Sequence, residues 1–129
     1  MSDLRYTMVD LSRFTMPTVG IVICTYKRPQ SLKRVLDNLA EQKHTDFEHI
    51  DVCVVNDGSH DEEYEAIDVG AYPFSVSYLA RARHPENRPQ VYSSKNIGVE
   101  NVTGDVLWLV DDDLVFDDHT LFILRLYHM

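Results

Sequence analysis

The sequence predicts an α/β domain: a mostly parallel sheet of about four strands with flanking helices. Three observations carry that prediction. Short β-branched runs alternate with segments of helical period. The first two runs, "TVGIVICT" and "HIDVCVVND", are continuous instead of alternating, the pattern of strands covered on both faces. The chain, at 129 residues, is long enough for one domain with a real core and too short to expect two.

A polar lead, residues 1–17, ends at Pro17, and the domain is read as residues 18–129. "TVGIVICT" is a continuous strand-length run. "RPQSLKRVLDNLAEQ" follows as a helix, with Pro29 near its start and Leu32, Val35, Leu36 and Leu39 at helical spacing. "HIDVCVVND" is a second buried strand that ends in Asp57-Gly58-Ser59. "SHDEEYEAI" offers Ser59 or Asp61 as an N-cap for a short helix that Gly70 can end. "PFSVSYLA" is a third strand, less apolar and therefore expected nearer a sheet edge. "RARHPENRPQ", with two prolines, is a loop. "VYSSKNIGVENVTG" reads as a helix on Val91, Ile97, Val99 and Val102, stopped by Gly104. "DVLWLV" is the fourth strand, Trp108 being a core residue, and "DDHTLFILRLYHM" opens a last helix.

Composition narrows the function. A net charge of -9 without a basic block speaks against binding nucleic acid or an anionic membrane through bulk charge. A polyanionic ligand would need local neutralisation. Residues 1–14 lack the order of a signal peptide and no run approaches a membrane span, so the expected setting is cytoplasmic, with peripheral membrane association left open. Cys24 and Cys53 sit in apolar runs and read as buried, reduced thiols. The six histidines are scattered without ligand spacing.

Right-handed crossovers put the C-terminal ends of parallel strands along one edge, and ligands bind there where the strand order reverses. Three of the four strand ends carry polar groups: Thr25-Tyr26, Asp57-Gly58-Ser59 and Asp111 to Asp113. Along a strand, Asp111 and Asp113 share one side while Asp112 points away. Two such carboxylates about 5 Å apart, in an effective dielectric of about 20, repel by roughly 3 kcal/mol. Either a cation offsets that or one is protonated. Carboxylate oxygens suit Mg2+ or Mn2+, which commonly share one or two protein carboxylates with ligand phosphates. A solvated acidic loop capping the next helix through Asp117 or Asp118 is the plainer alternative.

"VGIVICTYKRPQSLKRVLDNL", "DVCVVNDGS" and "SSKNIGVENVTGDVLWLVDDD", in this order and spacing, resemble the nucleotide-binding half of family 2 glycosyltransferases with the GT-A fold, a Rossmann-like sheet. The likeness runs from about Val19 to Phe116. It implies that Thr25, Tyr26 and Asp57 hold the nucleoside, with Asp57 accepting hydrogen bonds from uracil or ribose. It implies an Asp-x-Asp motif at Asp111 and Asp113, Asp113 as the direct ligand of a divalent metal and Asp111 nearer the ribose or the metal's waters. Lys95, beside Asn96, would approach the diphosphate; Arg28 and Arg88 are further candidates. Each has a bland counterpart: Thr25 ending a strand, Asp57-Gly58 as a turn, Lys95 as a solvated helix residue.

The implied chemistry is inverting transfer of a sugar from a nucleotide diphosphate donor, expected to be a UDP-sugar, to an acceptor hydroxyl of a sugar, lipid or protein. The family's general base and acceptor site follow the Asp-x-Asp strand, and this chain ends at Met129, one helix later. It therefore reads as an incomplete half, with a truncated, catalytically inactive nucleotide-binding or interaction module as the alternative. The tail "LFILRLYHM" is apolar on nearly all sides and is expected to need a partner or self-association. A receiver domain would place its acid pair after the first strand, where Cys-Thr-Tyr stands. A phosphatase of the haloacid dehalogenase type would need more chain after "LVDDDLVF" than the 129 residues hold.

Overall fold

The computed structural model describes residues 16–129, so most of the polar lead, residues 1–15, lies outside the described residues. Strands β1 (Val19–Thr25), β2 (Ile50–Asn56), β3 (Ser75–Ala80) and β4 (Val106–Asp111) form one parallel sheet in the order β3-β2-β1-β4. Helices α1 (Pro29–Ala40), α2 (Val91–Glu100) and α3 (Thr120–Tyr127) cover it.

β1 and β2 are central, and their continuous apolar runs are buried on both faces, as with Ile21, Val22 and Ile23 or Val52, Cys53 and Val54. β3 lies at one edge, where its polar residues are tolerated. β4 takes the other edge and leaves Leu107 and Leu109 half-exposed.

α1 opens at Pro29, which has no N–H to leave unsatisfied, and buries Leu32, Val35, Leu36 and Leu39 against the sheet. Each such side chain stabilises the fold by about 1.5–3 kcal/mol relative to exposure. α1 and α3 share one face, where Leu121 joins Val19, Ile21, Ile23 and Val110 in the main core. Trp108 is half-buried there, its ring 4.8 Å from that of Phe116.

α2 packs on the opposite face, near Val22, Cys53 and Val55. Its buried residues are Ser94 and Gly98, while Val91 and Val99 face solvent. Of the four predicted apolar residues, Ile97 and Val102 do join the smaller core; close backbone approach explains the small residues beside them, since a Cβ on Gly98 would collide with Val22 Cγ1. Gly104, expected to stop this helix, lies beyond its end at Glu100 and lets the chain pass against Val19 and Gly20.

Two further expectations are corrected. Residues 59–67 form no α-helix but a 3-10 turn, Glu62–Tyr64, followed by another at Val69–Ala71 that contains Gly70. Neither proposed cap is available, because Ser59 bonds Asn56 and Lys27 while Asp61 caps nothing. α3 begins at Thr120, with Asp117 accepting from the His119 N–H in the turn before it. Only one side of α3 is covered: Leu121 and Arg125 are buried, whereas Ile123, Leu126 and Tyr127 are exposed. No described helix is long and apolar enough to cross a membrane.

Candidate functional site

From β1 the chain steps outward to β2 and β3, then crosses back to place β4 on the other side of β1. The strand order therefore reverses between β1 and β4, and the crevice beyond their C-terminal ends is where such sheets bind ligands. A cavity of about 290 Å3 opens there. Thr25, Tyr26, Arg28, Asp57, Lys95 and Asp111 line it together. Asp113 stands outside the lining and is exposed, and Arg88 is turned to His84 and Glu86.

The turn after β1 is held from below. Thr25 is buried, its Oγ1 2.7 Å from the Tyr64 hydroxyl, and the Arg28 N–H donates to the same hydroxyl at 2.9 Å. Lys27, at φ 53, donates its N–H to Ser59 Oγ at 3.1 Å. The turns after β1 and β2 are thus tied together.

Asn56 shapes the second turn: its Oδ1 accepts from the Ser59 N–H and hydroxyl, and its Nδ2 donates to the Ser59 carbonyl and the Tyr78 hydroxyl. Gly58 at φ 88 lies so close to the backbone of Arg83 that a Cβ would stand 2.5 Å from its nitrogen. Asp57 follows β2 and is buried. Its Oδ2 accepts from Arg83 Nη1 at 2.8 Å and the Gln90 N–H at 2.9 Å, and its Oδ1 accepts from Gln90 Nε2 at 2.7 Å. Arg83 and Gln90 were not singled out in the sequence, where both belong to a polar, proline-bearing loop. The available signal was position, since the loop joins the end of β3 to the start of α2 at the ligand edge.

Lys95 reaches the cavity from α2. Cys24 lines it too, and burial pushes its thiol from the ordinary 9.0 up to about 11, although the Lys95 charge pulls the other way.

The acid triplet keeps the strand alternation past the end of β4: Asp111 and Asp113 are exposed and Asp112 is buried. Asp112, set aside in the sequence, lines the cavity. Its Oδ1 accepts from Arg28 Nη1 at 3.2 Å, and the same nitrogen lies 3.9 Å from Asp113 Oδ2. Burial pushes the Asp112 carboxyl up, opposed by the Thr25 hydroxyl and the Arg28 charge. Its Oδ2 is buried without a hydrogen-bond partner, so the site holds unused acceptor capacity.

Among the described residues no three His, Cys, Asp or Glu side chains form a ready-made metal cage. The triplet instead offers one or two hard oxygen donors, the number Mg2+ or Mn2+ takes when phosphates and water complete its shell. These residues fit such an ion. The segment after the triplet is pinned by α1 and the turn that follows it: Asn38 bonds both the N–H and the carbonyl of Phe116, and Gln42, two residues past the helix, bonds the Asp117 carbonyl and the Leu121 N–H.

Comparisons with known proteins agree with this picture. Residues 20–126 match the family model described as Glycosyl transferase family 2. An uncharacterized glycosyltransferase of Rickettsia bellii (strain RML369-C) is 34% identical over 114 residues, covering 84% of this chain and 15% of that protein. An uncharacterized glycosyltransferase of Rickettsia prowazekii (strain Madrid E) is 31% identical over 113 residues, covering 84% of this chain and 32% of that protein. The chain thus spans a third or less of the length of these relatives.

Two solved structures share the fold. The mannosyltransferase PcManGT from Pyrobaculum calidifontis, in complex with GDP-Man and Mn2+, superposes with a TM-score of 0.71 at 21% identity, over 83% of this chain and 31% of that one. TarS 1-349 of S. aureus in complex with UDP-GlcNAc gives a TM-score of 0.68 at 18% identity, over 85% and 30%. The sheet is that of Rossmann-like GT-A neighbours. By the family model and its relatives, the chain belongs to glycosyl transferase family 2.

Proposed function

We propose that this chain is the nucleotide-sugar-binding part of a glycosyltransferase that transfers a sugar, with inversion, from a UDP-sugar to an acceptor hydroxyl. One observation carries the reading: a single cavity at the strand-order reversal gathers an aromatic ring, an anchored carboxylate, three cations and an acid pair (Tyr26, Asp57, Arg28, Arg83 and Lys95, Asp111 and Asp112). The complexes of structural neighbours with GDP-Man and Mn2+ and with UDP-GlcNAc support it.

Asp57 is oriented by Arg83 and Gln90, and its Oδ1 accepts only one bond among the described residues. A carboxylate oxygen has a second lone pair, suited to the N–H of uracil. Tyr26 supplies a ring beside it. Arg28 and Lys95 give the local positive charge that a diphosphate needs in a chain of net charge -9. Asp111 and Asp113 would hold the divalent metal, Mn2+ or Mg2+, which when bound offsets charge on the departing diphosphate.

A second reading, a catalytically inactive nucleotide-binding module, has one observation in its favour. Among the described residues, the carboxylates lining the cavity are Asp57, Asp111 and Asp112. Asp57 is engaged by Arg83 and Gln90, Asp112 by Arg28, and Asp111 is the one this reading gives to the metal, which leaves no further acid there for a general base towards an acceptor. On this reading the chain binds nucleotide and turns over little by itself.

Calorimetric titration of UDP with and without Mn2+, beside Asp113→Ala, tests the proposal. Mn2+-dependent binding that the variant loses is the expected result. No binding of UDP or GDP under any condition would sink it. Release of sugar from UDP-sugars by the chain alone would remove the second reading.

A further inference from the structure

We propose that Tyr64 is a positioning residue of this site, fixing Arg28 for the diphosphate through a hydroxyl that never touches the ligand. The inference rests on the nucleotide reading above and adds to it a residue outside the cavity lining.

Tyr64 comes from the 3-10 turn after β2, yet its ring is 5% exposed in the main core, packed 6.1 Å from that of Tyr78. Burial of the ring fixes the hydroxyl. That hydroxyl lies 2.9 Å from the Arg28 N–H and 2.7 Å from Thr25 Oγ1, so it joins the last residue of β1 to the residue that caps α1. The amide can only donate, so the Tyr64 oxygen accepts there. The arrangement that uses every group has Tyr64 donating in turn to Thr25 Oγ1.

Arg28 then closes the circuit, its Nη1 3.2 Å from Asp112 Oδ1. Its side chain is 56% exposed, so the guanidinium can turn to an anion while its main chain stays fixed. Without the Tyr64 hydroxyl the Arg28 N–H and Thr25 Oγ1 both lose that partner, while the bond from Lys27 to Ser59 remains. Thr25, only 3% exposed, belongs to the same support while lining the cavity.

The test is Tyr64→Phe, which keeps the ring in the core and removes one oxygen. Titrations of the 129-residue chain with UDP plus Mn2+, and separately with uridine, should show UDP affinity falling by roughly three- to tenfold and uridine affinity unchanged. In an Arg28→Ala background the same change should have no further effect on UDP, because the residue acts through Arg28. Equal losses for UDP and uridine, or an undiminished effect without Arg28, would overturn the inference and leave Tyr64 a core residue. Wild-type chain that binds neither ligand would overturn the nucleotide reading as well.

Discussion

Arg83 lies over the ring of Tyr26, its guanidinium carbon 3.7 Å from the ring centroid, while Nη1 holds Asp57 Oδ2 at 2.8 Å. One side chain therefore joins the turn after β1 to the turn after β2. The pair with Asp57 is largely out of solvent, the side chains being 16% and 9% exposed. Removing Arg83 leaves the buried Asp57 charge without its counter-ion, held only by Gln90, at a cost of about 3 kcal/mol. Arg83→Ala should lower the melting temperature by about 10 °C in a domain of this size. Arg83→Lys, which keeps the charge and loses the planar fork, should recover only part. A thermal melt that does not move would show that the pair contributes nothing.

Gly98→Ala should also destabilise, by about 1–3 kcal/mol, because the added methyl must displace α2 from Val22. Lys95 rides on the same helix, so UDP affinity should fall together with stability. Denaturant unfolding and UDP titration of one preparation check both. Loss of stability with intact binding would place Lys95 outside the ligand contacts.

The thiol of Cys24 should be sluggish although it lines the cavity. With its ionisation pushed up to about 11, roughly one molecule in a thousand is thiolate at pH 8, about a hundredfold less than for a thiol at the ordinary 9.0. Alkylation by iodoacetamide should be slow at pH 8 and accelerate towards pH 11. The proton is held more tightly in the folded state, so stability from this group is whole below pH 9 and lost as pH rises to about 11. Rapid labelling of Cys24 at pH 8 would contradict both statements.

α3 presents Ile123, Leu126 and Tyr127 to solvent on the side away from the sheet. The expected outcome is self-association through this face, more pronounced at high salt, which screens the charge of -9. Light scattering should report dimers or larger species, and Ile123→Lys with Leu126→Lys should return a monomer. A clean monomer of the unaltered chain at moderate concentration would refute it.

Much of this architecture was legible because it rests on burial patterns that a linear chain displays. The apolar runs of β1 and β2 and the four-residue stripe of α1 needed no tertiary information. α2 was misread at its buried face, since Ser94 and Gly98 are chosen for closeness to Val22 and not for hydrophobicity. The turn at Glu62–Tyr64 was misread as a helix because Ser59, the apparent cap, serves Asn56 and Lys27. At the site, residues adjacent to strand ends could be foreseen from topology. Arg83, Gln90 and Tyr64 could not, because their roles depend on contacts between loops that are remote in sequence. Asp112 looked idle for a simpler reason: alternation tells which acid points inward but not that Arg28 and Thr25 wait there.

The grip of Asn38 and Gln42, on α1 and just past its end, acts on main-chain atoms of Phe116, Asp117 and Leu121. Between the triplet and Phe116, therefore, identity matters little and length much, although Phe116 and Leu121 are themselves fixed by packing in the core. Leu114 and Val115, exposed and ungripped, can be exchanged for other residues with little consequence. A single residue inserted between Asp113 and Phe116 would throw both amide grips out of phase and swing the acids away from Arg28. Libraries that vary this stretch should accept almost any composition and reject almost any change in spacing.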